Sequence, residues 1–347
     1  MNKPVLRNLT LQQIKEFFNS INQPAYRAIQ LYQWLWKQNI RNLDKITNIP
    51  KNIIGILKDS FLLDFIEIVN VQKSSDKTIK VAFKLYDNLY VEGVVIPDKN
   101  RYTACISTQV GCPVNCAFCA TGKMGFYRNL GVGEIVEQVV LLNNLCMEQF
   151  GHKLTNIVVM GMGEPFLNYE NTIQALKIIT SPETMNFSAK KITISTIGIP
   201  ESINKFLKEE IGVNLAVSLH SPFQEKRELI IPLAKKYKLT DLIYSLKNYT
   251  KETGREITIE YVMLKNFNDQ KKDALELVKI CSSFKSKVNL INYNSNEKSQ
   301  FEASTDENIK IFYDILKKKN INVRIRKSRG KDIDAACGQL ANKIIKI

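Results

Sequence analysis

Residues 103–119 read Thr-Ala-Cys-Ile-Ser-Thr-Gln-Val-Gly-Cys-Pro-Val-Asn-Cys-Ala-Phe-Cys. The apolar start of this stretch reads as a strand, and the loop that follows carries Cys112, Cys116 and Cys119 in C-x3-C-x2-C spacing. Three thiolates on one loop can hold a zinc ion or an iron–sulfur cluster. A structural zinc takes four ligands in a closed shell, and the chain's two histidines, His152 and His220, lie far away in sequence. Three thiolates leave one vertex open, which suits a [4Fe–4S] cluster whose fourth iron binds a substrate or cofactor directly.

Working outward from that strand, β-rich runs near 103–108, 155–160, 190–196, 213–219, 256–264, 286–292 and 321–327 alternate with helical stretches. The helices are expected near 133–149, 168–180, 200–209, 239–252, 269–283 and 305–319. Such alternation predicts βαβ units and a parallel sheet, and six or seven units fall short of a closed eight-unit barrel. The expected fold class is therefore α/β, a partial (β/α) barrel. Ligands in such folds sit at the carboxyl ends of strands, on loops beginning near Gln109, Gly161, Thr196 and His220. Upstream, Lys80–Leu85 and Leu89–Val95 alternate around Asp87-Asn88 and predict a β-hairpin. Helical spacing at Leu11, Ile14, Phe17 and Phe18, then at Ile29, Leu31, Trp34 and Leu35, predicts a small N-terminal helical domain broken by Pro24 and Pro50. The expected division is 1–65 helical domain, 66–97 connecting hairpin, 98–330 barrel and 331–347 basic C-terminal segment.

The chain of 347 residues is 44% hydrophobic, enough for a core, and has no apolar run long enough to span a membrane. Seven cysteines, an odd number clustered mainly at one loop, do not form a secreted disulfide framework, so a reducing cytoplasmic location is expected. Lys and Arg number 49 against 34 Asp and Glu, a net charge of +15. Residues 317–347 hold ten of these cations against Asp332 and Asp334, which points to a polyanionic partner such as nucleic acid.

With Phe118 before its last cysteine, the C-x3-C-x2-C stretch resembles the signature of the radical S-adenosylmethionine (SAM) superfamily. Three more segments narrow the resemblance: Cys105–Cys112, Cys119–Leu130 and Arg329–Leu340. Together they look like the bacterial adenine-C2 methyltransferases that modify both 23S rRNA and tRNA, and the resemblance covers essentially the whole chain. The related alternative is the antibiotic-resistance family acting at C8 of the same rRNA adenine. An alternative of another class is a non-catalytic RNA-binding protein holding a metal or cluster.

The resemblance implies one [4Fe–4S] cluster on Cys112, Cys116 and Cys119, and SAM bound to its open iron. It implies SAM contacts at Gly163 and Glu164 in Gly161–Pro165, at Ser195, at Ser218, Leu219 and His220, and at Asn294, with Glu164 accepting from the SAM ammonium. Adenine C2 is an electron-poor carbon that cannot attack a methyl sulfonium, so the family chemistry goes through a radical. Cys337 takes a methyl from one SAM, a 5′-deoxyadenosyl radical from a second SAM removes hydrogen from it, and the carbon adds to C2. Cys105 then resolves the protein–RNA adduct by forming a disulfide with Cys337, while Glu92 accepts the C2 proton. The same resemblance implies an external electron donor such as flavodoxin or ferredoxin and a monomeric enzyme acting on 23S rRNA and tRNA away from any membrane. On residue type alone, Cys105 and Cys337 read as core thiols, Glu92 as a residue on the exposed face of a hairpin, and Cys146 and Cys281 as packing residues.

Overall fold

The computed structural model describes residues 3–63, 65–295 and 300–341. Three helices open the chain: α1 (Leu11–Ser20), α2 (Ala25–Trp36) and α3 (Lys51–Ser60). Thr10 starts α1 with a capping box, its Oγ1 accepting from Gln13 N at 3.1 Å while Gln13 Oε1 accepts from Thr10 N at 2.8 Å. Pro24 and Pro50 stand immediately before α2 and α3, where a missing N–H costs nothing.

Three antiparallel strands follow, β1 (Glu67–Lys73), β2 (Ile79–Lys84) and β3 (Tyr90–Asp98), then β4 (Arg101–Cys105). The hairpin around Asp87-Asn88 forms as expected, with Asn88 at φ 63°, a left-handed turn value that Asn tolerates. The cysteine loop is framed by a short antiparallel pair, β5 (Gln109–Gly111) and β6 (Phe126–Asn129). The remaining elements alternate: α4 (Val132–Phe150), β7 (Asn156–Val159), α5 (Tyr169–Thr180), β8 (Ile192–Thr196), α6 (Pro200–Leu207), β9 (Asn214–Ser218), α7 (Gln224–Ile230) and α8 (Leu239–Thr253), followed by β10 (Ile257–Met263), α9 (Lys271–Cys281), β11 (Ser286–Asn292), α10 (Asp306–Lys318) and β12 (Asn322–Arg326).

Strands β4, β7, β8, β9, β10, β11 and β12 lie side by side and parallel in chain order, the succession of a right-handed α/β partial barrel. Strands β3, β2 and β1 continue the same sheet from β4, so the upstream hairpin is an extension of the barrel wall. The register separates two faces. Ile157, Ile194, Leu215, Ile259, Leu290 and Val323 are buried in the apolar core. Cys105, Ser195, Ser218, Glu260 and Asn289 belong to the opposite, polar face, because strand side chains alternate. Both faces of β3 are covered: Glu92 is wholly buried on one, and Gly93 packs against Leu142 of α4 on the other.

The helical N-terminus is clasped to the barrel by Arg7, wholly buried, whose Nη1 lies 2.9 Å from Glu137 of α4. Arg7 Nη2 donates to Leu35 O, Asn39 Oδ1 and Ile40 O at 3.0–3.1 Å, and the guanidinium stacks 5.0 Å from the Trp36 ring centre. Gly133 makes this approach feasible, since a Cβ there would stand 2.8 Å from Arg7 Cβ. Among the described residues no helix is long and apolar enough to cross a membrane.

Candidate active site

Four strand-end loops converge on the cysteine loop. Gly161 N donates to Ile106 O, Thr108 N to Met162 O, Met162 N to Ser107 Oγ and Glu164 N to Gln109 Oε1, all at 2.8–2.9 Å. Gly161 and Gly163 admit residues 106–109 of the neighbouring loop. Gly163 has φ +99°, and a Cβ there would stand 2.5 Å from Gln109 Cβ. Glu164 is buried, and its two carboxylate oxygens accept from Phe166 N at 3.0 Å and Ile197 N at 2.8 Å. Burial pushes its carboxyl up to about 7, opposed by those backbone donors and Thr196. It thus ties two loops together, and any ligand ammonium would use its remaining lone pairs.

The other expected cofactor contacts lie at or just beyond the carboxyl ends of β8, β9 and β11. Ser195 and Ser218, on neighbouring strands, have their hydroxyls 3.5 Å apart. Leu219 is buried, with its N–H donating to Glu260 O at 3.1 Å. His220, at φ 58°, accepts from Val262 N at Nδ1 and meets the Phe118 ring edge-on at 4.8 Å. Burial, aided by Arg227, lowers its pKa to about 3, so its ring is neutral with Nε2–H as the free donor. Asn294 is buried with Oδ1 unpartnered, the kind of orphaned acceptor that a bound polar molecule satisfies.

Cys112, Cys116 and Cys119 are free thiols and electrostatic neighbours. Burial is the largest cause raising their pKa values, with Cys112 pushed up to about 12, and Cys116 is raised further by both of its partners. Three such sulfurs ionise together only around a strongly positive centre. Three thiolates are one short of the closed four-ligand shell of a structural zinc and match a [4Fe–4S] core with one open iron, so this donor set fits a cluster. A hollow of about 470 Å³ opens beside it, lined by Cys112, Pro113, Asn115, Gly122, Lys123, Gly125 and Phe126.

The C-terminal segment lies across this loop. Ala120 N donates to Gly338 O at 2.8 Å and Thr121 Oγ1 to Leu340 O at 2.6 Å. Cys337 is exposed, not a core thiol, because Ala335 and Ala336 fill the interior and leave the next residue outside. It stands within electrostatic range of Cys105, Cys119 and Arg326. Cys105 is buried, and burial followed by the neighbouring Cys337 pushes its thiol up to about 12. The expected disulfide between them is not formed: all seven cysteines are free thiols. Cys146 and Cys281 are buried packing residues.

Glu92 corrects a second expectation. A charged residue in a hairpin strand reads as exposed, yet Glu92 is wholly buried, with Oε2 accepting from Ala341 N at 2.9 Å and Oε1 3.4 Å from Lys80 Nζ. Two further buried charges were not foreseen. Glu260, inside Ile257–Met263, accepts from Asn289 Nδ2 at 2.9 Å and faces Arg326 at 3.9 Å, and Arg227 lies on α7. For Glu260 the available signal was a charge inside an apolar stretch; Arg227, within the polar run Gln224–Glu228, carried no such signal.

Comparison with known proteins agrees with this geometry. The Radical SAM superfamily profile matches residues 106–278, and that of the ribosomal RNA large subunit methyltransferase N-terminal domain matches residues 5–63. A probable dual-specificity RNA methyltransferase RlmN from Christiangramia forsetii is 46% identical over 98% of this chain and 97% of its own. Another from Pseudothermotoga lettingae is 41% identical over 96% of each chain. The crystal structure of a radical SAM methyltransferase from Sphaerobacter thermophilus, 40% identical, superposes with a TM-score of 0.89 over 97% of this chain and 99% of that one. The chain belongs to the RlmN family of radical SAM RNA methyltransferases.

Proposed function

We propose that this enzyme methylates C2 of a specific adenine in 23S rRNA and of the adenine 3′ to the anticodon in tRNA, with Cys337 as carrier of the transferred carbon. The observation that supports this is the lie of the C-terminal segment, bonded through Gly338 and Leu340 to the cysteine loop and leaving the Cys337 thiol free beside Cys105. When bound, a cluster on Cys112, Cys116 and Cys119 together with SAM supplies the electron, the radical and the methyl group.

The chain's own residues do the rest. The Cys337 sulfur takes the SAM methyl, its S–C bond forming as the sulfonium S–C bond breaks and S-adenosylhomocysteine leaves; once a hydrogen atom is removed from it, that carbon would bond to adenine C2, and the adduct would give up one electron and the C2 proton. Cys105 then attacks the Cys337 sulfur: an S–S bond forms as the S–C bond breaks, and the electron pair passes to the carbon on the base, which is protonated. An external donor such as flavodoxin or ferredoxin supplies the electron for SAM cleavage, and thiol–disulfide exchange with a cellular dithiol returns the disulfide to two thiols. Glu92 takes the C2 proton, with Lys80 Nζ 3.4 Å from its Oε1. Gly163, Glu164, Ser195, Ser218, Leu219, His220 and Asn294 line the SAM site. Residues 1–65 dock folded RNA, 66–97 connect, 98–330 hold the chemistry and 331–347 carry Cys337, of which 342–347 lie outside the described residues. The enzyme works in the cytoplasm as a monomer.

The test is mass spectrometry of rRNA and tRNA nucleosides from cells lacking this gene and from cells carrying it again. Loss and return of 2-methyladenosine is expected in both RNAs; changes in 8-methyladenosine instead would assign the C8 reaction, and no change would refute the function.

A further inference from the structure

Arg227 is fully buried on α7, a helix joined to the cysteine loop by a 2.9 Å hydrogen bond from Ala117 N to Ile230 O. Its Nη2 donates to Ile197 O, while Nε and Nη1 have no partner. The groups that act on it electrostatically are the Cys116 sulfur and His220, and no ion pair with a carboxylate is formed among the described residues. His220 cannot balance the charge, since its Nδ1 is an acceptor for Val262 N and its ring is neutral. Burial lowers the Arg227 pKa only to about 10, so the guanidinium stays charged at neutral pH. Proteins bury such a charge only with an anion and with its donors satisfied. Here the anion has to meet two free N–H groups beside Cys116. Three thiolates around a [4Fe–4S] core form a net anion that becomes more negative on reduction, and sulfur accepts charge-assisted hydrogen bonds.

We propose that Arg227 is the counter-charge of the iron–sulfur cluster, its free Nε–H and Nη1–H directed to the Cys116 side and stabilising the reduced over the oxidised state. The inference rests on the reading that Cys112, Cys116 and Cys119 hold that cluster. Positive charge and hydrogen bonds near the sulfurs raise a cluster's reduction potential, and Arg227 supplies both. A guanidinium needed only for packing and its bond to Ile197 O would leave the potential where it is.

The experiment uses the full chain, reconstituted anaerobically with iron and sulfide and titrated with dithionite under paramagnetic resonance detection. Arg227→Met is expected to lower the midpoint by about 59 mV or more, the one-electron equivalent of a tenfold loss in the reduced-to-oxidised ratio. Arg227→Lys, which keeps the charge, should lower it by less than half as much. In the iron-free protein Arg227→Met should raise the melting temperature, because it removes an unpaired buried charge; in the loaded protein it should lower it. Should the Met variant not take up iron, Arg227→Gln carries the same comparison. An unchanged midpoint on loss of the charge overturns the proposal, as does a lower melting temperature in both forms. Wild-type protein that takes up no iron and sulfide refutes the cluster itself and leaves the fold untouched.

Discussion

Replacing Arg7 with Met tests how the N-terminal helices are held to the catalytic barrel. Arg7 Nη1 pairs with Glu137 at 2.9 Å, with both side chains almost fully inaccessible, and Nη2 serves acceptors at Leu35, Asn39 and Ile40. Breaking a buried pair by removing one partner costs about 3–5 kcal/mol, since the other charge is left in the interior. Arg41 is a poor replacement, as its Nη2 stands 4.0 Å from the same Glu137 oxygen and donates instead to Ile66 O at 3.0 Å. Urea unfolding of Arg7→Met should therefore show a loss in that range. Adding Glu137→Gln should recover at least half of it, because the amide removes the stranded charge and keeps an acceptor for Ile66 N, which Glu137 Oε2 meets at 2.8 Å.

The pH dependence carries a sign. Burial raises the Glu137 carboxyl and Arg7 is the main group opposing that rise, so in Arg7→Met it must rise further. A raised folded-state pKa means that stability present at low pH is lost as pH increases through that value. The deficit of Arg7→Met should accordingly shrink as pH falls below neutral and should not do so in the double variant. The same substitution should weaken RNA binding while leaving reductive SAM cleavage intact, because the barrel keeps its own loops. A stability change below about 1 kcal/mol, or no recovery in the double variant, would refute the reasoning.

Cys337→Ala should keep the cluster and yield neither S-methylated protein nor methylated RNA, whereas Cys105→Ala purified from cells should carry covalently attached RNA that the additional Cys337→Ala change abolishes; gel shift with nuclease treatment reads both. Gly163→Ala forces a Cβ to within 2.5 Å of Gln109 Cβ at φ +99°. Backbone strain of about 1–3 kcal/mol and weaker SAM binding are expected by melting and calorimetry. Arg324, in the middle of β12, and Lys327, just beyond its end, are exposed, and replacing both with Ser should flatten the dependence of RNA affinity on salt by up to about 0.7 per lost phosphate contact, with an unchanged slope as the contrary result.

The barrel was legible because its strands are apolar runs at regular spacing and its long helices carry three or more apolar residues at helical period. What escaped is short or non-local. Helix α7 spans only Gln224–Ile230 and reads Gln-Glu-Lys-Arg-Glu-Leu-Ile, with too few apolar positions to show a period. The β5–β6 pair is made across the cysteine loop, with Gly111 of β5 so close to Gly125 that a Cβ would stand 1.9 Å from its carbonyl oxygen. Glu92 was misread because alternation alone assigns a charge to solvent; nothing local says that the C-terminal segment, some 250 residues later, covers that face. The cysteine spacing, by contrast, is a local property of one loop, and it is legible without any knowledge of how distant segments pack.

The placement of Cys337 follows from barrel geometry. Seven parallel strands leave the wall open between β4 and β12, and the chain bridges the gap with what remains at its two ends. Strands β3, β2 and β1 extend the wall from β4, while the segment after β12 runs back to meet them. Gly330 N donates to Asp76 Oδ2 at 2.9 Å, Asp332 accepts from Ser74 Oγ at 2.5 Å, and Arg329 reaches Asp98 at 3.1 Å. Beyond these contacts the segment passes Lys80, whose Nζ lies 3.4 Å from Asp334 O, and ends on Glu92 and the cysteine loop. The piece of chain that closes the barrel is thereby the one that carries Cys337 to its rim. An ion pair at 3.4 Å, buried under that closure, holds the segment and lies on the same sheet face as Cys105, because Val94, two residues from Glu92, pairs with Cys105 across β3 and β4. Closure and the placement of Cys337 share one set of contacts, so a substitution that frees the C-terminal segment should take Cys337 from the rim even when every strand of the barrel remains in place.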